Sequence, residues 1–278
     1  MQVIKWLFLG LGIFLLGVNI VGEFKSLRNP DIYTENSRLL ITDVEIEYED
    51  LIQEISRKSG ESDEEFALRV NDLIYRGMLY YWHREGSKKY HLSVPFWENY
   101  VLYIRNSIKS IDRYEFRSWE KNLERGVGLC SAFSNVVHGI LVENGIEARL
   151  WGMTRHIVVE AKVGDDQWVV LDPNYGLYIP HSMQEIQADP ELVRAVYQDM
   201  ADLHEEETYK DPYTTDLMVE IFGYEDHFVW NPDAGFENFS YTTKWILPIL
   251  FLLAGGIMIW KDKSGSSEIV SKSGLKAQ

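Results

Sequence analysis

Residues 126–176 read GVGLCSAFSNVVHGILVENGIEARLWGMTRHIVVEAKVGDDQWVVLDPNYG, and this stretch decides the fold. It contains the only cysteine of the chain, Cys130. Gly126 and Gly128 precede it and allow the positive-φ turns that set a side chain at a helix mouth. Phe133, Val136, Val137, Ile140 and Leu141 recur at the spacing of one helix face, which predicts a helix over Ser131–Asn144 closed by Gly145. Cys130 then sits among unpaired N–H groups at the positive end of the helix dipole, a place that favours negative charge. Ile157, Val159, Ala161 and Val163 alternate with His156, Val158, Glu160 and Lys162, a strand pattern. Gly164-Asp165-Asp166 reads as a turn, and Gln167–Leu171 as the return strand, ending at Asp172-Pro173 because proline cannot donate to a ladder. A three-residue loop pairs Val163 with Gln167 and Val158 with Asp172. His156 and Asp172 then share one face; a loop of two or four residues would separate them. Each of the three has a plainer structural reading: a small buried thiol, a strand-end histidine, a turn-initiating Asp-Pro. In this order, thiol, ring base and carboxylate are the parts of an activated cysteine nucleophile.

These residues carry a resemblance. Cys130 after a Gly-rich turn, Gly145-Ile146-x-Ala148-Arg149, His156-x-x-Val159-Glu160 and Trp168-x-x-x-Asp172-Pro173 together resemble the transglutaminase-like superfamily over roughly residues 110–180. The resemblance implies an α+β fold with a papain-like core, in which a Cys-bearing helix packs on an antiparallel sheet that carries His and Asp. It implies catalytic roles for Cys130, His156 and Asp172 and requires no cofactor. It does not choose the reaction, since the superfamily includes amide cross-linkers, peptidases, deamidases and inactive relatives. Asn174-Tyr175-Gly176, followed by Ser182 and Met183-Gln184-Glu185-Ile186, is similar to bacterial extracytoplasmic members, some tied to cell-surface polysaccharide.

The flanks place this core at a membrane. Residues 3–22 hold one charge, Lys5, and residues 242–260 form a second apolar run with Trp245 and Trp260 near its ends. Basic residues at the chain start and after the second run put both termini in the cytoplasm and the central domain outside. The chain then divides into a signal anchor (1–24), a linker and extension (25–60), a transglutaminase-like domain (61–240), a transmembrane helix (241–261) and a disordered cytoplasmic tail (262–278). The formal charge over 278 residues is −16. Setting aside Lys5 and the tail, where Lys261, Lys263, Lys272 and Lys276 face Asp262 and Glu268, residues 6–260 carry −19. Such a domain argues against nucleic acid as partner. One cysteine excludes internal disulfides.

Between the flanks, Leu39–Tyr48 reads as an acidic strand or as a helix start from Asp43. Ser62-Asp-Glu-Glu65 is a capping box opening a helix to about Trp82. Helices are also expected over Val94–Ile108 and over Pro190 to about His204, the latter with Leu192, Val193, Val196, Met200 and Leu203 inside and Glu205–Glu207 as its solvated end. Trp119 and Tyr114 are candidate oxyanion donors beside the Cys130 N–H. Tyr213, Tyr224, His227 and Trp230 are further surface candidates. His83 and His91 read as surface residues, and no spacing reads as a metal site.

The functional expectation is a membrane-anchored cysteine hydrolase or acyltransferase acting on amide or ester bonds of a protein or peptide-like substrate. The alternative keeps the fold without turnover, as a scaffold or binding module for a partner in envelope or polysaccharide assembly.

Overall fold

The computed structural model describes residues 2–34, 44–198 and 215–274. Helices α1 (Gln2–Gly22), α2 (Tyr48–Glu54) and α3 (Asp63–Gly77) come first, then the short strand β1 (Leu79–Tyr80) and helices α4 (Gly86–Lys89), α5 (Tyr100–Ile108) and α6 (Trp119–Arg125). β2 (Val127–Gly128) leads into α7 (Cys130–Glu143), β3 (Ala148–Met153), β4 (His156–Lys162), β5 (Trp168–Asp172) and β6 (Leu177–Ile179). The chain closes with α8 (Met183–Ala188), α9 (Thr215–Gly223), β7 (Phe228–Val229) and α10 (Gly235–Gly274). It divides into two compact units: Met1–Ser26, Val94–Ile111 and Gly235–Gln278 form one, Leu27–Ser93 and Asp112–Ala234 the other.

The second unit is built on an antiparallel sheet of order β6-β5-β4-β3-β7. Val159 stands opposite Leu171 and Lys162 opposite Trp168, and the Val163 N–H reaches the Gln167 carbonyl, so the loop has three residues as its parity requires. Both faces of the sheet are buried. Val159, Ala161, Val169 and Leu171 join α7 residues Val136, Val137 and Ile140 and α3 residues Phe66, Val70 and Ile74 in one core. Val158 and Val170 face the other way, onto Ile179, Ile186, Met218 and Phe222. Each such aliphatic or aromatic side chain contributes roughly 1.5–3 kcal/mol on leaving water. Two-sided burial explains why residues of both faces of β4, Val158 and Val159 alike, are buried.

α7 ends as expected, with Asn144 as C-cap and Gly145 at φ 80°. The α3 capping box is formed as well, Ser62 and Glu65 exchanging bonds. That helix stops at Gly77, five residues before the expected end. Leu79–Tyr80 instead pairs in parallel with Val127–Gly128, holding the loop that leads to Cys130. Gly126 takes φ 67° as the C-cap of α6, and the Arg28 guanidinium fills the place of its missing side chain. Gly128 does not adopt positive φ; it is needed because a Cβ there would meet Ala132 of α7 at 2.3 Å. Leu39–Tyr48 falls partly outside the described residues, and its described end enters α2 at Tyr48 rather than a strand. The expected helix from Pro190 is a 3-10 turn over Pro190–Val193, with residues 194–198 helical; its continuation, Glu205–Glu207 and Tyr213 lie outside the described residues.

In the first unit α1 and α10 run antiparallel. Two windows, Val3–Gly22 and Gly235–Asp262, are long and apolar enough to cross a membrane. The helices approach closely at Gly12, against Leu252 and the Pro248 carbonyl, and at Gly255, against Leu9 and the Lys5 carbonyl. Lys5 pairs with Asp262 at 2.5 Å at one end. Pro248 has no N–H to give the carbonyl four residues earlier, that of Lys244. Asn19 Nδ2 (2.5 Å) and the Tyr100 hydroxyl (2.7 Å) donate to that carbonyl instead. The bond from Tyr100 draws α5 into this unit. α5 starts at Tyr100 rather than Val94, because the Asn99 side chain caps it by accepting from the N–H groups of Val101 and Leu102. α10 runs on through Gly274, where Gly, Ser and Lys read as an unstructured tail; elongating a helix already nucleated in the span costs little.

Candidate active site

Cys130 opens α7, where the first N–H groups of the helix have no acceptor inside it. The thiol is half-exposed. His156 opens β4 and is buried, and Asp172 closes β5 and is fully buried. The observed register puts both on one face, and His156 Nε2 donates to Asp172 Oδ2 at 2.6 Å. The imidazole also hydrogen-bonds the Cys130 side chain, for which Nδ1 is the nitrogen left. Burial alone would lower the pKa of this ring, but the Asp172 carboxylate, and after it Cys130, reverse the sign and hold it at about 10. The ring is therefore an imidazolium at neutral pH, poised between an acceptor carboxylate and a sulfur.

Asp172 is fixed from two further sides. The Tyr197 hydroxyl donates to Oδ2 at 2.5 Å, and the Asn174 N–H donates to Oδ1 at 3.1 Å. Tyr197 is itself fully buried, with the Tyr175 ring edge-on at 5.9 Å. On the other side of the thiol, Glu115 spans the residues flanking Cys130. It accepts the Ser131 hydroxyl at 2.8 and 2.7 Å on its two oxygens and also the Leu129 N–H. Desolvation raises its pKa, against the opposing pull of Ser131, Arg125 and Arg117.

Residues 96–173 match the family model of the transglutaminase-like superfamily. The chain carries a transglutaminase-like domain. No curated protein and no solved structure matches it.

The other candidates do not gather at the thiol of this transglutaminase-like domain. Trp119 lays its indole over Gly139, nine residues along α7 from Cys130, or roughly 13 Å of helix axis. It is a packing residue there, not a donor at the Cys130 N–H. Trp119 and Trp230 instead line a cleft of about 490 Å³ along the far half of α7. Tyr114 stacks edge-on against Phe116 and gives its carbonyl to Arg125. Tyr224 is exposed and bonds Glu220, and His227 faces Gln187. His91 Nδ1 meets the Leu27 carbonyl, and His83 lies against the Tyr81 ring. Among the described residues no three His, Cys, Asp or Glu side chains gather as metal ligands.

Tyr197 and Glu115 escaped the sequence reading. Tyr197 had a usable signal: it follows Val193 by four positions, on the face taken as internal. Glu115 had none, because its bond to Ser131 spans sixteen residues, across α6 and β2. Its carboxylate sits at the same helix end as the thiol, so its charge opposes negative charge on sulfur. In Glu115→Gln, which keeps the hydrogen-bond geometry, alkylation of Cys130 by iodoacetamide at pH 7 is expected to quicken about two- to fivefold. The raised folded pKa means that ionising Glu115 costs the fold stability above its ordinary range. The variant should therefore melt no lower than wild type at pH 7. Slower alkylation together with a lower Tm would show that the charge itself holds the loop.

Proposed function

We propose that the transglutaminase-like domain is a cysteine acyl-transfer enzyme, with Cys130 as nucleophile, His156 as general acid and base, and Asp172 as the group that orients and charges the ring. The supporting observation is the continuous chain from a half-exposed thiol through a buried imidazolium to a carboxylate held by Tyr197 and the Asn174 N–H. The sulfur attacks the carbonyl carbon of an amide or ester and forms a tetrahedral adduct. First-turn N–H groups of α7 receive its oxyanion. As the C–N or C–O bond breaks, His156 gives its proton to the leaving amine or alcohol. Water or an incoming amine, deprotonated by His156, then releases the acyl group from sulfur. A protein or peptide-like substrate suits a half-exposed thiol.

Two helices capable of spanning a bilayer, packed as an antiparallel pair, support membrane anchoring. With basic residues at both outer ends, the reading that fits is a domain outside the cell and both termini in the cytoplasm.

The test is acylation. With p-nitrophenyl acetate the folded protein is expected to release a burst of nitrophenolate and to gain one acetyl group, mapped by mass spectrometry to Cys130. Cys130→Ala should show neither. Absence of acylation in the wild type would leave the fold as a scaffold for envelope assembly, and equal acylation in Cys130→Ala would remove the mechanism.

A further inference from the structure

The first unit holds an apolar surface that neither span accounts for. α5 buries Tyr100, Leu102 and Asn106 inward, yet turns Tyr103, Ile104 and Ile108 outward at 41, 49 and 78% exposure. Three large side chains on one face of a nine-residue helix cost solubility in water and gain from an apolar phase. The helix is fixed to the spans: Tyr100 donates to the Lys244 carbonyl, Asn99 Nδ2 to the Ser240 hydroxyl at 3.0 Å, and the Arg105 guanidinium lies 4.7 Å from the Phe236 ring. α10 begins nine residues before Lys244, about 13 Å of helix beyond the level where Asn19 of α1 meets it. That extra length carries Phe236 and Phe239, 40 and 58% exposed. The 28 residues from Gly235 to Asp262 are more than the roughly 20 that cross a hydrocarbon core. Charge points the same way. In a chain of net charge −16, the segment 94–111 carries Arg105 and Lys109 against one acid, the buried Glu98.

We infer that α5, with the first two turns of α10, sits at the boundary between headgroups and acyl chains, as a third and non-spanning contact with lipid. Ile104, Ile108 and Phe239 enter the acyl edge, while Arg105 and Lys109 stay with anionic headgroups. Continuity with the two spans names the lipid rather than a protein as occupant. The consequence is that an internal segment, residues 94–111, and not only the chain ends, anchors the protein.

The single cysteine makes the test direct. In the full chain with Cys130→Ala, Ile104→Cys and Ile108→Cys are separately labelled with the fluorophore NBD and reconstituted into phosphatidylcholine–phosphatidylglycerol vesicles. Both positions should emit at short wavelength and be quenched about twofold more by lipids spin-labelled near the headgroup than by lipids labelled deep in the chain. Leu253→Cys, midway along α10 and exposed on it, should show the reverse order. Water-like emission at 104 and 108, or blue-shifted emission that neither lipid quenches, overturns the inference, the second result pointing to a protein partner or a second copy. A water-like Leu253 label would instead overturn the spans, and with them the inference.

Discussion

Asp172→Asn is expected to cost about 3–5 kcal/mol of folding stability, the usual result of removing one member of a buried ion pair. His156 is 3% exposed and Asp172 not at all, so no water can replace the lost charge. With the amide oxygen in the place of Oδ1, still accepting the Asn174 N–H, the amide nitrogen takes the place of Oδ2 and faces His156 Nε2, donor against donor, beside a Tyr197 hydroxyl that has lost its acceptor. The ring must give up its proton there. The pH dependence carries the same information. An ordinary histidine titrates near 6.5, and this one is held at about 10 in the fold. The folded state therefore binds the proton more tightly than the unfolded chain. The stabilisation is complete below pH 6.5 and is lost as pH rises toward 10, at up to about 1.4 kcal/mol per pH unit. In Asp172→Asn that decline should vanish. Chemical unfolding in detergent at several pH values measures both effects. A loss below about 1 kcal/mol, with the wild-type slope retained, would mean that the two side chains are not an ion pair.

The same pair shows what a sequence can and cannot disclose. The parity of the Gly164–Asp166 loop fixes the register and so brings His156 and Asp172 onto one face, because side chains alternate with period two. Helix α7 is equally legible, since an apolar stripe ending in Gly145 has few other solutions. Less legible is anything that depends on a partner far along the chain. The aromatic run Tyr80-Tyr81-Trp82 continues the apolar pattern of α3, yet Leu79–Tyr80 leaves the helix to pair with Val127–Gly128, forty-eight residues away. Trp119 looks like a donor near Cys130 by proximity in sequence, whereas Gly139 offers its indole a seat further along α7. The start of α5 is set by the Asn99 side chain, a local signal, but its allegiance to the spans comes from the carbonyl that Pro248 leaves unbonded. In each case a local pattern suggested a structure or a role, and a long-range contact decided it.

His156→Ala separates the two things the ring can do. In the proposed mechanism it stabilises negative charge on the neighbouring sulfur as a cation, and protonates the leaving group as an acid. Three reagents draw on these differently. Iodoacetamide expels iodide, which needs no proton, so its reaction with Cys130 should slow only about tenfold for want of the cation. Acylation by p-nitrophenyl acetate expels a stabilised phenolate and should fall by a similar factor. An anilide of the same acyl group must expel an amine that cannot leave unprotonated, so its turnover should lose on the order of 10²–10⁴-fold beyond the other two. Because the ring is protonated well above neutrality, the acid role is available to the wild type across the physiological range. Added imidazole, small enough to enter the space left by the side chain, should recover part of the anilide rate. Equal losses with all three reagents, and no recovery, would mean that the substitution had only loosened the sheet around Asp172, and the general-acid role would fall with it.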